Sequence, residues 1–170
     1  MKRLFFALWP SDETRKQLNS FNQSIAQNGL RKLKADNLHI TLLFLGNTCA
    51  ITEILLRKKA DSIRVQPFVL TLDQLEFWRK AKVLCLTTAQ YDPQLGLLVD
   101  ALNQLAEQCA MHIEERAYKP HITLARKAQK LIDIKVLPIQ WQADSFCLIE
   151  SCSTAEGVHY QVLQSWSFAG

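Results

Sequence analysis

Two copies of one short pattern contain the residues of this chain that could do chemistry. His39-Ile40-Thr41-Leu42 recurs 82 positions later as His121-Ile122-Thr123-Leu124. Each copy begins an apolar, β-branched stretch that predicts a strand, from Leu38 to Leu45 and from His121 to Ala125. Side chains alternate between the faces of a strand, so each copy presents an imidazole and a hydroxyl on one face. The repeat predicts a single cleft in which two histidines face one substrate.

Two such pairs of side chains suit the transfer of two protons. Imidazole titrates near neutral pH, so a neutral ring can accept a proton from water while a protonated ring donates one to a leaving alkoxide. A threonine hydroxyl can donate a hydrogen bond to a phosphate oxygen that gains charge in the transition state. This set of groups fits in-line cleavage of a phosphodiester without a metal ion or a covalent intermediate.

Other uses of the histidines and cysteines are less well supported. A zinc site needs three or four ligands, and neither copy carries a second His, Cys or carboxylate at ligand spacing. Cys109 and His112 lack a matching pair, so packing or capping explains them better, and His159 is predicted to be a surface residue in a turn. No feature places a histidine beside an exposed thiol, as a cysteine nucleophile requires. We therefore expect no metal and no cofactor.

The charge distribution favours an anionic ligand. The formal net charge is +4, and basic residues gather near both copies of the pattern. A solvated, lysine-rich face is the alternative for any one cluster, but both clusters lie beside the repeat. The clusters consist of Arg31, Lys32 and Lys34 before the first copy, and Arg116, Lys119, Arg126, Lys127 and Lys130 around the second.

Cysteine usage and hydropathy indicate a cytoplasmic protein. The five cysteines are scattered and form no CxxC pair, which is typical of reduced thiols. The apolar N-terminal run stops at Trp9-Pro10 without a small-residue cleavage site, so it predicts a first strand and not a signal peptide. No apolar stretch approaches the ~20 residues that span a bilayer. We expect no membrane partner.

The order of predicted elements favours an α+β fold. Helices do not alternate regularly with single strands, which argues against a doubly wound parallel sheet. We predict one bilobal domain over residues 1–170, with two pseudo-symmetric, antiparallel-rich sheets and outer helices around a central cleft. The predicted elements of the first half are a strand at Arg3 to Leu8, a helix capped by Ser11 and ending near Asn28-Gly29, a motif strand ending at Gly46, and a helix from Thr52 with Ile54, Leu55, Ala60 and Ile63 on its apolar side. They are followed by a strand from Phe68 to Phe77, a hairpin connection at 78–82 into Val83 to Thr87, and a helix opened by Tyr91-Asp92-Pro93. After the second motif strand we predict a loop from Lys127 to Leu137 and a closing hairpin of Ser145 to Ser153 and Tyr160 to Phe168.

The residues around the repeat resemble a known family. His39 to Gly46 and Pro120 to Arg126 are similar to the two HxTx signatures of the two-histidine (2H) phosphoesterase superfamily. More closely, the chain resembles the bacterial RNA 2′,3′-cyclic phosphodiesterases, also called the 2′-5′ RNA ligase family. Further similarity lies in the opening strand, in the Asp36-Asn37-Leu38 lead-in and in the closing hairpin.

The resemblance implies a bilobal fold and hydrolysis of a terminal 2′,3′-cyclic phosphate on RNA to a 2′-phosphate. It also implies that His39 protonates the departing 3′ oxygen, that His121 activates water, and that Thr41 and Thr123 hold phosphate oxygens. By the same resemblance Arg126 contacts the phosphate, and the reverse reaction joins RNA ends through a 2′-5′ linkage. The implied partner is RNA with a cyclic phosphate end or a related nucleotide, and no obligate protein partner is evident.

Two alternatives remain open from the sequence. A binding module that holds RNA ends without turning them over would have the same basic cleft, but its histidines would be dispensable for affinity. A related enzyme could act on another phosphodiester, such as a 2′-5′ oligonucleotide or a small cyclic dinucleotide. Phe44, Trp78 and Tyr118 are candidates for stacking on a base, although strand alternation predicts that Phe44 packs in the core, opposite His39.

Overall fold

The structure is a computed structural model that describes residues 1–113 and 116–169. Its helices are α1 (Asp12–Ser24), α2 (Ala50–Ala60) and α3 (Pro93–Gln108), with a single 3₁₀ turn at Ala35–Asn37. Its strands are β1 (Lys2–Leu8), β2 (Arg31–Lys32), β3 (Ile40–Thr48), β4 (Phe68–Leu72), β5 (Gln74–Trp78), β6 (Val83–Thr87), β7 (His121–Arg126), β8 (Ile139–Ala143), β9 (Ser145–Thr154) and β10 (Gly157–Ser167). In this part of the chain no helix is both long and apolar enough to cross a membrane.

Each copy of the His-x-Thr pattern belongs to its own four-stranded sheet. The first sheet has the order β10-β9-β1-β3 and the second has the order β2-β7-β6-β5, while β4 and β8 form a separate pair. All of the strand pairs are antiparallel. The predicted α+β fold of two antiparallel lobes with outer helices is therefore confirmed.

The helices connect the two sheets through one core. The side chain of Asn22 on α1 donates hydrogen bonds to the Leu33 and Leu124 carbonyls, 3.3 and 3.1 Å away, which fixes α1 behind β7 of the second sheet. Helix α3 instead packs against β3 of the first sheet and against α2. An apolar stripe along α3 is buried throughout, and it joins a continuous cluster that includes residues of both sheets. The stripe consists of Leu95, Leu98, Leu102, Leu105 and Ala106. Each motif strand is thus backed by a helix from the other half of the sequence.

Matching β-bulges interrupt the two motif strands just after the threonine. In β3, Thr41 pairs with Ala7 and Leu43 pairs with Phe6, so Leu42 is the extra residue. In β7, Thr123 pairs with Cys85 and Ala125 pairs with Leu84, so Leu124 is the extra residue. A bulge shifts the alternation of side chains by one position. Beyond each bulge, the residue three positions after the threonine therefore returns to the face of that threonine.

Several predicted boundaries were wrong for local reasons. Helix α1 ends at Ser24, because the buried Ile25 already has an extended backbone, with φ −74° and ψ 131°. Gly29, with φ 75°, instead serves the turn before β2, a short strand that was not predicted. Gly46 does not end β3: it has φ 70° at a second bulge opposite Leu4, and the strand continues to Thr48.

Two larger differences concern the middle of the chain. The predicted strand Phe68 to Phe77 is divided at Asp73 into β4, which pairs with the unpredicted β8, and β5, which pairs with β6. The predicted apolar side of α2 is also wrong in part, because Ile54 and Leu55 are 65% and 44% exposed. Helix α2 buries Ala60 as predicted, together with Leu56, which was not among the predicted residues.

Candidate active site

The two motif strands lie side by side across the cleft between the sheets. β3 and β7 are in contact without pairing, and a pocket beside them is lined by Thr41 and Phe44 from one lobe and by Trp78, Lys119 and His121 from the other. His121 is close enough to His39 to lower the pKa of that ring by electrostatic repulsion. The structure therefore brings the two predicted histidines to a single cleft.

Both imidazoles are oriented by the same backbone contact. The Nδ1 atom of His39 lies 2.7 Å from the carbonyl oxygen of Asn37, and the Nδ1 atom of His121 lies 2.8 Å from that of Lys119. A carbonyl oxygen can only accept a hydrogen bond, so each Nδ1 carries the proton and donates it. In the neutral ring Nε2 is then unprotonated and free to act as a base.

Aromatic rings surround His39. Its ring centroid lies 5.0 Å from those of Phe5 and Tyr160 and 5.8 Å from that of Trp9, which is stacked on it. Burial in these surroundings lowers the pKa of His39 to about 4, against the opposing effect of the hydrogen bond to Asn37. The positive charge of Arg15, which lies over the Trp9 ring, lowers this pKa further. His39 is therefore neutral in the empty cleft at neutral pH.

His121 has a different environment, which includes a carboxylate. Its ring centroid lies 4.4 Å from that of Trp78. Burial lowers its pKa, and the charges of Arg116 and Lys119 act in the same direction. The hydrogen bond to the Lys119 carbonyl and the negative charge of Glu76 act in the opposite direction. The two histidines are thus equivalent in backbone geometry but not in electrostatics.

Glu76 connects the groups that surround His121. Its carboxylate accepts hydrogen bonds from Trp78 Nε1 at 2.8 Å, from Thr87 Oγ1 at 3.0 Å and from Lys119 Nζ at 2.8 Å. Burial acts to raise the pKa of Glu76, but these hydrogen bonds outweigh it and the pKa is lowered. The sequence analysis missed this residue, whose signal was a carboxylate, one of two with Asp73, inside a predicted apolar strand.

The threonines of the two motifs have different partners. Thr41 Oγ1 lies 3.0 Å from His39 Nε2, so the Thr41 hydroxyl can donate to the neutral ring. The backbone carbonyl of Thr41 accepts a 3.1 Å hydrogen bond from the Tyr118 hydroxyl of the other lobe. Among the described residues, the hydrogen-bond partner of Thr123 Oγ1 is the thiol of Cys85, at a long 3.9 Å. Burial raises the pKa of that thiol to about 12, so it stays protonated and unreactive at neutral pH.

The β7 bulge determines the direction of Arg126. Plain alternation would turn Arg126 away from Thr123, but the extra residue Leu124 returns it to the Thr123 face, where it pairs with Val83. Burial raises the pKa of Tyr160 in the opposite sheet, and the charges of Arg126 and Arg3 partly offset that increase. Arg126 therefore lies in the cleft, near the Tyr160 ring that contacts His39.

The β3 bulge contradicts the prediction for Phe44. The side chain is 57% exposed and pairs with Phe5 on the cleft face, because Leu42 shifts the alternation. Its ring lies 5.9 Å from that of Phe5. Phe44 and Arg126 are thus structural equivalents in the two lobes, each three residues after its threonine.

The other chemically active side chains contribute no second site. Over residues 1–113 and 116–169, no three His, Cys, Asp or Glu side chains are grouped so that they could hold a metal ion. All five cysteines are described, and none is in a disulfide. Of the basic residues before the first motif, Lys32 turns away from the cleft and donates to the Gln23 carbonyl on α1.

The chain is similar to known proteins over its whole length. Residues 10–153 match the family model of the 2′-5′ RNA ligase superfamily. The chain is 32% identical to an RNA 2′,3′-cyclic phosphodiesterase of Escherichia coli strain K12, with 98% of this chain and 96% of the relative covered. It is 22% identical to an RNA 2′,3′-cyclic phosphodiesterase of Methanocaldococcus jannaschii, with 96% and 99% covered.

A solved structure extends this similarity to the fold. The crystal structure of E. coli LigT complexed with 3′-AMP superimposes with a TM-score of 0.92, at 31% identity and with 99% of each chain covered. The match includes both sheets and both motif strands, since it spans nearly every residue. The chain therefore belongs to the 2′-5′ RNA ligase superfamily.

Proposed function

We propose that this protein is an RNA 2′,3′-cyclic phosphodiesterase that hydrolyses the cyclic phosphate end of RNA to a 2′-phosphate. The observation that carries the proposal is the pair of imidazoles in one cleft, each with Nδ1 donating to a backbone carbonyl and with an unprotonated Nε2, which in His39 accepts from the Thr41 hydroxyl. Full-length similarity to relatives that carry this name supports the same activity. Both Nε2 atoms can then act on one phosphate.

We infer the following division of roles. His121 Nε2 takes a proton from water as the water oxygen attacks phosphorus, and the bond from phosphorus to the 3′ oxygen breaks. His39, in its protonated form, gives its proton to that oxygen, which leaves as the 3′-hydroxyl. Thr41, Thr123 and Arg126 donate hydrogen bonds to the phosphate oxygens as their charge increases. The assignment of acid and base follows the family resemblance.

Substrate binding favours uptake of the proton that this mechanism needs, because it changes the pKa values of the two histidines. In the empty cleft, burial lowers the pKa of both histidines. A phosphodiester anion between the rings favours their charged forms and raises both pKa values. One proton is then shared by the pair at neutral pH, and the two observed pKa values belong to the pair as a unit. With a 5′-hydroxyl in place of water, the same displacement of the 3′ oxygen would give a 2′-5′ linkage.

We further propose that the reaction needs no metal ion. The two histidines have no third ligand beside them among the described residues, and this donor set supports acid–base chemistry over zinc chemistry. The unpaired thiols support a reducing compartment such as the cytoplasm, and the shared core supports one two-lobed domain over residues 1–170.

One assay tests this function directly. The protein is incubated with RNA that ends in a 2′,3′-cyclic phosphate, with and without a chelator, and the position of the product phosphate is determined. We expect a 2′-phosphate at an unchanged rate in chelator. His39→Ala and His121→Ala should each lower kcat by a factor on the order of 10² to 10⁴, because each removes one proton transfer. A strict requirement for added metal, or full activity in either variant, would contradict the mechanism. Binding of the RNA without turnover would indicate the binding-module alternative.

A further inference from the structure

Two arginines lie directly opposite each other at the edge of the second sheet. The pairing of β2 with β7 places Arg31 across from Arg126. Opposed residues of antiparallel strands point to the same side of the sheet, with Cβ atoms about 4.5–5.5 Å apart. Like charges in such a pair destabilise the sheet. The arrangement is therefore unfavourable in the empty protein and becomes favourable when an anion lies between or beside the two groups.

This arginine pair is on the cleft side of the sheet. The bulge at Leu124 puts Arg126 on the same face as Thr123, and Arg31 shares the face of the residue that it opposes. His121, Thr123 and Arg126 consequently follow one another along the cleft side of β7. Arg31 lies beside Arg126 on the edge strand β2, at the end of β7 away from His121.

Neither arginine has an acidic partner in the part of the chain that the structure describes. The ion pairs in those residues involve Glu53, Glu76 and Glu150, whose partners are Lys2, Arg57 and Lys119. Glu76, the carboxylate on the same sheet, is already bound by Lys119, Trp78 and Thr87. The positive charge of the pair is thus available to a ligand.

Arg31 also lies close to the first sheet, at the end of the cleft away from His121. Its Nη2 atom lies 4.0 Å from the position that a Cβ atom on Gly157 would take, at the turn of the β9–β10 hairpin. Tyr160 follows on the same hairpin, with its ring centroid 5.0 Å from that of His39, and the charges of Arg126 and Arg3 partly offset the effect of burial on its pKa. An RNA strand that leaves the histidines past Arg126 therefore passes Arg31 next.

We propose that Arg31 extends the anion site and binds the internucleotide phosphate that precedes the cyclic end, so that the preferred substrate is an oligonucleotide and not a cyclic mononucleotide. This inference rests on the proposed function for the location of the terminal phosphate. Arg126 faces the terminal phosphate from one side and shares the next phosphate with Arg31.

A binding measurement tests the subsite without requiring turnover. The dissociation constant is determined calorimetrically for 3′-AMP, which has one phosphate, and for a diadenosine with an internucleotide phosphate and a terminal 3′-phosphate. We expect the wild type to prefer the dinucleotide, and Arg31→Ala to reduce that preference about tenfold. Lys32→Ala is the matched control, because Lys32 is the adjacent cation on the same strand but faces α1, and it should leave the preference unchanged.

Salt dependence gives a second readout. The slope of log K against log salt for the dinucleotide should decrease by about 0.7 in Arg31→Ala, as expected for the loss of one phosphate contact on a single strand. The ligand-free variant should be at least as resistant to heat as the wild type, since the substitution removes a like-charge pair. Equal losses on both ligands, or no loss on the dinucleotide, would overturn the subsite. Failure of the proposed function would instead be seen as absent hydrolysis by the wild type in the separate cyclic-phosphate assay.

Discussion

At the residue scale, His39 is the group whose chemistry depends most on its surroundings. Burial among three aromatic rings lowers the pKa of its imidazole to about 4, so the ring that is proposed to donate a proton is neutral before substrate arrives. We expect an NMR titration of the ligand-free protein to show His39 with a midpoint far below 6.5, and the midpoint to rise when 3′-AMP is added. An unchanged midpoint with bound nucleotide would show that the anion does not lie beside this ring.

Glu76 is expected to act on His121 without touching the substrate. Glu76→Gln replaces one acceptor oxygen by a donor, so at least one of the hydrogen bonds to Trp78, Thr87 and Lys119 is lost. We expect kcat to fall about 10- to 100-fold, because the Lys119 carbonyl and the Trp78 ring no longer hold His121 in place. KM should change much less.

The pH profile separates this positioning role from general damage to the fold. The negative charge of Glu76 raises the pKa of His121, so its removal should move the limb that reports the base toward lower pH. Glu53→Gln is the matched control, because Glu53 is also a carboxylate that binds cations, in its case Lys2 and Arg57, but it lies on α2. A profile that moves equally in both variants would contradict the assignment.

At the residue scale, the sequence was sufficient to predict which side chains share a face wherever strand alternation holds. The facing of His39 with Thr41 and of His121 with Thr123 follows from a period of two, and the structure places them as predicted. Phe44 lies beyond the bulge, and the same rule placed it on the wrong face. Bulges depend on pairing with a neighbouring strand, which no local pattern of one strand reveals.

At the element scale, the bulge of β7 is held from behind by α1. The Leu124 carbonyl accepts hydrogen bonds from the Leu33 amide at 2.8 Å and from the Asn22 side chain at 3.1 Å. Asn22→Ala should therefore lower the free energy of unfolding by about 2–3 kcal/mol, because it leaves buried carbonyls short of a donor and opens a small cavity. Urea unfolding would measure this loss. The adjacent, exposed Gln23 provides the control variant Gln23→Ala, and equal stability of the two variants would contradict this role.

Elements with local signals were predictable, and those defined by distant partners were not. Ser11 and Asp92 cap α1 and α3 as their residue types indicate, and the stripe of α3 is buried. The stretch from Phe68 to Phe77 carries one weak local sign of a division, Asp73, which is a residue type that strands disfavour. The division at Asp73 exists because β4 pairs with β8, some 70 residues later, while β5 turns back onto β6.

At the scale of the whole molecule, the exchange of helices makes the two lobes interdependent. Helix α1 supports the second sheet and α3 supports the first, and one core cluster joins them. The relative position of the two histidines is therefore set by the packing of the entire chain. This packing fixes the relative position of two side chains 82 residues apart, which we propose act on one phosphate, although their strands belong to different sheets.

The burial of His39 makes the free energy of unfolding depend on pH in a defined window. The pKa of His39 is about 4 in the folded protein and about 6.5 when unfolded, so the unfolded state binds more protons between those values. Stability is then complete above about pH 6.5 and falls as the pH decreases toward 4, by up to about 3 kcal/mol from His39, with His121 acting in the same direction. Urea unfolding of the wild type and of His39→Gln at intervals between pH 4 and 7 measures the contribution. The variant should lose less stability across this window, and parallel curves would show that His39 is not desolvated in the native cleft.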